Sequence, residues 1–206
     1  MTSPHAYDVL DSDTVFSGRV ITVKKDRVAM PGGGSGQRDY VVHPGAVGVV
    51  ALDDAGRVLL VQQYRHPVRR RLDELPAGLL DVEHEKALAA AARELAEEAG
   101  LAADTWHVLV DALTSPGMSD EAIRLYLARD VRVVDRDVQE HEEAEITTAW
   151  EPLDDAVRRV LAGEIENAMA CLGVLAAAEA RRLGFDGLRP ADAPWPSRAP
   201  AGGQSA

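Results

Sequence analysis

Residues Gly78–Leu101 read GLLDVEHEKALAAAARELAEEAGL, and the rest of the chain is arranged around them. From Lys86 to Ala99 the stretch holds neither Gly nor Pro and is rich in Ala, Leu and Glu, which predicts a helix. Gly100 supplies the stop, because glycine closes a helix in the left-handed conformation without steric penalty. At about 100° per residue, Glu94, Glu97 and Glu98 fall on one face. Leu88, Ala91, Ala92, Leu95 and Ala99 place apolar groups elsewhere around the cylinder.

Three like charges on adjacent turns repel by roughly a few tenths of a kcal/mol per pair. They also sit in the C-terminal half of the helix, where the macrodipole favours cations. Arg93 can pair with Glu97 at i,i+4, which leaves Glu94 and Glu98 as a second i,i+4 pair able to hold metal. Mg2+ suits that pair, since it takes a few carboxylates together with substrate phosphate oxygens. For an isolated E-x-x-E-E, a solvated acidic face would be the better explanation.

The longer pattern decides between the two. Glu85 is followed by seven residues and then by Arg93-Glu94-Leu95-Ala96-Glu97-Glu98-Ala99-Gly100-Leu101. This resembles the Nudix box, Gly-x5-Glu-x7-Arg-Glu-apolar-x-Glu-Glu-x-Gly-apolar. The match departs at its start, where six residues and not five separate Gly78 from Glu85. The extra loop residue leaves the acidic face in register and leaves the role of Gly78 open. The resemblance implies an α/β protein, a Nudix-type α/β/α sandwich with a mixed sheet. It also implies Mg2+ (or Mn2+) held by Glu94, Glu98 and the Ala77 carbonyl, with Glu97 and Arg93 in the catalytic machinery.

A chain of 206 residues can build one sizeable core with a small added subdomain. The net charge of −12 argues against non-specific binding to nucleic acid or to an anionic membrane. An anionic substrate must therefore find locally positive surface or metal. Cys171 stands alone, so no intrachain disulfide forms and a reducing cytoplasm suits the chain. No leader and no run of ~18 apolar residues is present, and the expectation is a soluble cytoplasmic protein.

Residues 1–13 are polar and expected to be loose, whereas Val15–Val42 reads as β-structure turned at Pro31–Gly36. So small a sheet, residues 1–44, must pack on the main domain or on a second subunit. Ala46–Leu52 and Val58–Gln62 are expected as a hairpin around Asp53–Gly56. Gln63–Arg71, with Arg65, Arg69, Arg70 and Arg71, is the densest basic tract. It is either solvated surface or a phosphate clamp, to which the guanidinium fork is suited. The tract Q-Y-R-x-P followed by E-x-P-A-G resembles the ADP-sugar branch of the Nudix family, which implies that Arg65 contacts the adenosine diphosphate and that Glu74 lines the pocket.

Strands are expected at Trp106–Leu113, Ile123–Ala128 and Val131–Val134, the first two bracketing a Pro-Gly turn. Pro116 lies fifteen residues past Leu101, the spacing that resembles the ADP-ribose pyrophosphatase subgroup. That resemblance places Met118 and Glu121 beside the substrate. A second acidic cluster, Gln139–Glu145, precedes a strand at Ile146–Trp150. It is either a solvated loop or the carrier of a general base that approaches from outside the helix. In the subgroup a loop Glu is the base, which implies Glu142, with Glu143 as the alternative and His141 as a weaker one.

Pro152–Ala162 and Glu164–Leu183 are expected as helices, the second packing through Ile165, Met169, Leu172, Leu175 and Ala176. Cys171 within it reads as a small buried hydrophobe. Residues 45–184 thus form the catalytic domain, and 185–206, rich in Pro, Gly and Ala, a disordered tail. The function implied is Mg2+-dependent hydrolysis of ADP-ribose to AMP and ribose 5-phosphate by a homodimer, the N-terminal segment of one subunit completing the adenosine pocket of the other. Another nucleotide sugar, an oxidised nucleotide or a non-catalytic ADP-ribose sensor are the alternatives. A sensor has no need of the intact acidic trio.

Overall fold

The computed structural model describes residues 7–135 and 145–198. Two central strands explain its layering. β4 (Ala46–Ala51) is buried at every position, and β9 (Ala122–Val133) is buried from Ala122 through Ala128. They run parallel, Ala46 opposite Ile123 and Ala51 opposite Ala128. Unbroken apolar runs of this kind suit strands covered on both faces. The helices α1 (Ala87–Ala99), α2 (Leu153–Leu161) and α3 (Ala168–Arg182) supply the cover. Val47, Val49, Ala51, Tyr126 and Ala128 pack with Ala90, Ala91 and Leu95 of α1. Their alternates Val50, Leu125 and Leu127 pack with Leu153 and Ala156 of α2 and Val174 and Ala177 of α3. The result is the expected α/β/α sandwich.

The central sheet is completed by β7 (Ala77–Leu79), β8 (Leu101–Leu113) and β11 (Arg189–Pro190), in the order β11-β8-β9-β4-β7. A second sheet places β5 (Arg57–Arg65) between β10 (Thr147–Pro152) and β6 (Arg70–Glu74). The hairpin expected from β4 and β5 does not form. The two share a single bridge, Leu52 to Val58, and part into different sheets, because both edges of β4 are taken by β7 and β9. The turn between them is as expected, with Asp53 Oδ1 accepting from the Ala55 and Arg57 amides at 3.0 and 2.8 Å. The basic tract forms a hairpin, Arg65 facing Arg70 across a turn that holds Arg69 at φ 55°.

β1 (Val9–Ser17), β2 (Thr22–Ala29) and β3 (Ser35–Val42) form the N-terminal sheet. Residues 9–13, expected loose, belong to β1. Their order comes from cross-strand pairing to β2, such as Ser12 with Asp26, which a polar sequence does not announce. A bridge from Val41 to Ser119 fastens this sheet to the sandwich. Val131–Val133 is the end of β9 and no separate strand, and Val134 lies just beyond it.

α3 starts at Ala168 and not at Glu164, with Asn167 as its cap; Ile165 is buried in the preceding loop. Its buried face is Ala170, Gly173, Val174, Ala177 and Ala180, and Leu175 is exposed. The small residues let the helix lie close on the sheet: a Cβ on Gly173 would meet Leu75 at 2.6 Å and Val50 at 2.9 Å. Cys171 is half-buried, its thiol donating to the Ile165 carbonyl at 3.1 Å.

The segment after α3 is not a disordered tail as far as Arg198. β11 pairs with β8, and the Arg124 guanidinium donates to the carbonyls of Ala193 and Pro194 at 2.7 and 2.9 Å. Arg124 also lies 4.7 Å over the Trp195 ring. These partners are some 70 residues away in sequence, so composition alone could not reveal them. Residues 199–206 lie outside the described residues. Among the described residues no helix is long and apolar enough to cross a membrane.

Candidate active site

α1 is stopped where expected: Gly100 adopts φ 63°, ψ 35° and returns its N–H to the carbonyls of Ala96 and Leu95. Burial of Leu95 fixes the rotation of the helix against the sheet and stabilises by about 2 kcal/mol. That rotation turns Glu94 and Glu98 toward β7. The Ala77 amide donates to Glu98 Oε2 at 3.0 Å, and Glu98 is only 7% exposed. One residue on, a Cβ at Gly78 would stand 1.9 Å from Glu94 Oε1. Two carboxylates one helical turn apart thus meet two consecutive strand residues, and only glycine at position 78 leaves room for the first. The sequence pattern left Gly78 without a role; the structure supplies one.

Glu97, the third carboxylate, turns aside to Arg93 Nη1 at 2.8 Å. The same guanidinium donates to both oxygens of Glu85, at 3.0 and 3.1 Å, and to Glu94 at 2.7 Å. The Glu85 hydrogen bonds, above the opposing effect of burial, hold Arg93 firmly in its charged form. In return Arg93 keeps the Glu85 carboxyl below the usual carboxylate range. The expected Arg93–Glu97 pair is present, then, as part of a wider network whose anchor is Glu85. The fixed spacing of Glu85 to Arg93 in the box was the available signal for it.

A cavity of 510 Å³ opens beside this contact, with Ala77 and Gly78 in its wall. Arg65 and Glu74 line the same cavity, joined by a two-pronged ion pair at 2.8 and 2.7 Å. Glu74 is 2% exposed, and its pairing with Arg65 offsets the cost of burying a carboxylate. Glu121 also reaches the cavity, with Thr114 Oγ1 bonded to it and His43 Nδ1 at 3.5 Å. The Gly45 amide lies 3.1 Å from the same His43 Nδ1. His43, Thr114 and Asn167 were not singled out in the sequence, where Asn167 was expected inside the helix that it caps in the structure.

Met118 does not join them. It is exposed and lines a separate 480 Å³ depression with Arg38 and Tyr40 of β3. Among Arg69, Arg70 and Arg71 none lines the Arg65 cavity: Arg70 pairs with Glu166, and Arg71 with Glu145 at 2.7 Å. Glu142, Glu143 and His141 lie outside the described residues.

Among the described residues no group of three or more His, Cys, Asp and Glu side chains is arranged to hold a metal ion by itself. Glu94 and Glu98 can do so with oxygens from elsewhere, because a hard cation accepts backbone carbonyl, water and phosphate oxygens. Their burial against Ala77 and Gly78 fits such an ion.

The sandwich and its carboxylate-bearing helix define a hydrolase. Residues 42–170 match the NUDIX domain. An ADP-ribose pyrophosphatase of Mycobacterium tuberculosis is 50% identical over 194 residues, 94% of this chain and 93% of the relative. An ADP-ribose pyrophosphatase of Bacillus subtilis is 35% identical over 79% of this chain and 87% of its own length. In fold, the chain is similar to the crystal structure of an ADP compounds hydrolase, with a TM-score of 0.74 at 22% identity, covering 89% of this chain and 99% of that one. The chain belongs to the Nudix family.

Proposed function

We propose that the chain hydrolyses ADP-ribose to AMP and ribose 5-phosphate with Mg2+, or Mn2+, as its cation. The observation that carries this reading is the meeting of Glu94 and Glu98 with the Ala77–Gly78 backbone at the wall of the Arg65 cavity. The half-identical relative named for that activity supports it. Water adds to a phosphorus of the pyrophosphate, the bond from that phosphorus to the bridging oxygen breaks, and both products leave as phosphate monoesters. Glu94, Glu98 and the Ala77 carbonyl would hold the cation, which when bound neutralises the pyrophosphate and acidifies water.

Arg65, aimed by Glu74, binds a phosphate, and Glu121 borders the remainder of the substrate. Arg93 keeps Glu94 and Glu97 in place. By resemblance Glu142 takes the proton of the attacking water. A panel of ADP-ribose, other nucleotide sugars and nucleoside triphosphates with Mg2+ tests the proposal. Fast turnover of ADP-ribose is expected; turnover of another member with ADP-ribose untouched would overturn it.

The same reading includes a homodimer. Val9, Leu10, Val15 and Phe16 on β1 and Val20 and Ile21 beyond it are exposed, an apolar load unusual for free surface. A second copy covers it at low cost through two-fold symmetry. Deleting residues 1–44 is then expected to abolish dimerisation and substrate binding together. A fully active single-chain species in sedimentation contradicts the dimer. With one cysteine and no disulfide to maintain, the cytoplasm is the compartment that suits the enzyme.

A further inference from the structure

Asn167 caps α3: its side-chain oxygen accepts the Ala170 amide at 2.9 Å. An N–H can only be met by the oxygen end of the amide, so this bond decides which end of Asn167 is which. The NH2 end is the one that this bond leaves over, and among the described residues it has no hydrogen-bond partner. Asn167 lines the same 510 Å³ cavity as Arg65, Ala77 and Gly78. The start of the helix is pinned there from outside, because Glu166 is paired with Arg70 on the β5–β6 hairpin. Ala168 and Met169 of the first turn line the cavity too, and the partial positive charge of a helix start favours an anion.

We infer that the Asn167 amide NH2 is a substrate-binding donor, given to an oxygen of the phosphate-bearing substrate in the Arg65 cavity. The inference rests on reading that cavity as the substrate pocket. The cap bond holds the donor in one orientation before substrate arrives, so little side-chain entropy is lost on binding. A donor of this kind binds ground state and transition state alike, so its loss is expected in KM and not in kcat.

Capping and binding are separated by Asn167→Ser and Asn167→Asp, since both keep a cap acceptor and neither keeps the NH2 group. Melting temperature, kcat and KM for ADP-ribose, and calorimetric affinity for ADP are measured on both and on wild type. The expected result is native melting, kcat within about three-fold, and KM raised about ten-fold by Ser, the scale of one hydrogen bond to a charged group. Asp is expected to raise it further through repulsion of the phosphate, and ADP affinity to fall in parallel. Native KM and native ADP affinity in both variants would show a cap and nothing more, and would overturn the inference. If wild type leaves ADP-ribose intact, the proposed reaction fails, yet the ADP titration still decides the role of Asn167: equal affinity in wild type and Asn167→Ser overturns it.

Discussion

Gly78→Ala adds one methyl group and separates fold from function. The added Cβ would lie 1.9 Å from Glu94 Oε1, 2.1 Å from its Cδ and 2.5 Å from its Cγ. Relief to the 3.0 Å that real contacts keep requires the carboxylate to retreat by about 1.1 Å. The obstacle is the end of a side chain and not backbone, so the sheet can stay as it is. Position 78 also lacks the positive φ that would strain an alanine. Stability is therefore expected to fall by about 1–3 kcal/mol, the range of a small-to-large change, which leaves the fold intact. Activity is another matter, because about 1 Å of misplacement at a reacting centre can lower rate by ~10²-fold. Steady-state hydrolysis of ADP-ribose with saturating Mg2+, alongside a thermal melt, reads both. The shorter acid in Gly78→Ala/Glu94→Asp has room to withdraw and is expected to recover part of the loss. A folded Gly78→Ala enzyme with native kcat would refute the placement of Glu94 as a working group.

Glu142→Gln is expected to lower kcat by at least ~100-fold, the scale of general-base loss, with KM little changed; a large effect from Glu143→Gln in its place moves the base by one residue. Acid stability is expected to depend on Asp111. Burial pushes its carboxyl up, but the hydrogen bonds and charges of Arg124 and Arg189 outweigh burial and set it below the ordinary range. A native value below the unfolded one means the stabilisation is complete above about pH 4 and is lost as pH falls through the native value. Melting temperature should thus drop more steeply below pH 4 in wild type than in Asp111→Asn, and equal slopes would refute that assignment.

What could be read in the sequence was local. α1, its Gly100 stop and the Arg93–Glu97 pair follow from residues within a few positions of one another, where propensity and helical spacing decide. The box also carried Glu85, although its bond to Arg93 needs the loop after β7 to fold back. The parallel pairing of β4 with β9 joins residues far apart in the chain, and the apolar run of β4 fits a hairpin equally well until β9 is in place. Order in residues 185–198 involves Arg124, the one charge in the buried run Ala122–Ala128, whose partners some 70 residues on the sequence alone does not give. Gly78 shows the same limit at atomic scale, since its function is to be missing a Cβ opposite Glu94. Asn167 reads in sequence as lying inside the helix, because the run from Glu164 onward is helix-compatible and only the folded chain shows its side chain capping Ala170 at the pocket.

If Glu94 and Glu98 form the cation-dependent centre of a pyrophosphate hydrolase, Glu98→Gln exposes it most directly. Gln keeps an oxygen for the Ala77 amide and removes only the charge, so the fold should survive. ADP-ribose turnover at saturating Mg2+ is measured for wild type and variant, each checked by its melt. Turnover is expected to fall at least ~100-fold in a natively melting protein, the loss that follows removal of a preorganised electrostatic group. Turnover within about three-fold of wild type, a change smaller than one hydrogen bond, would contradict it.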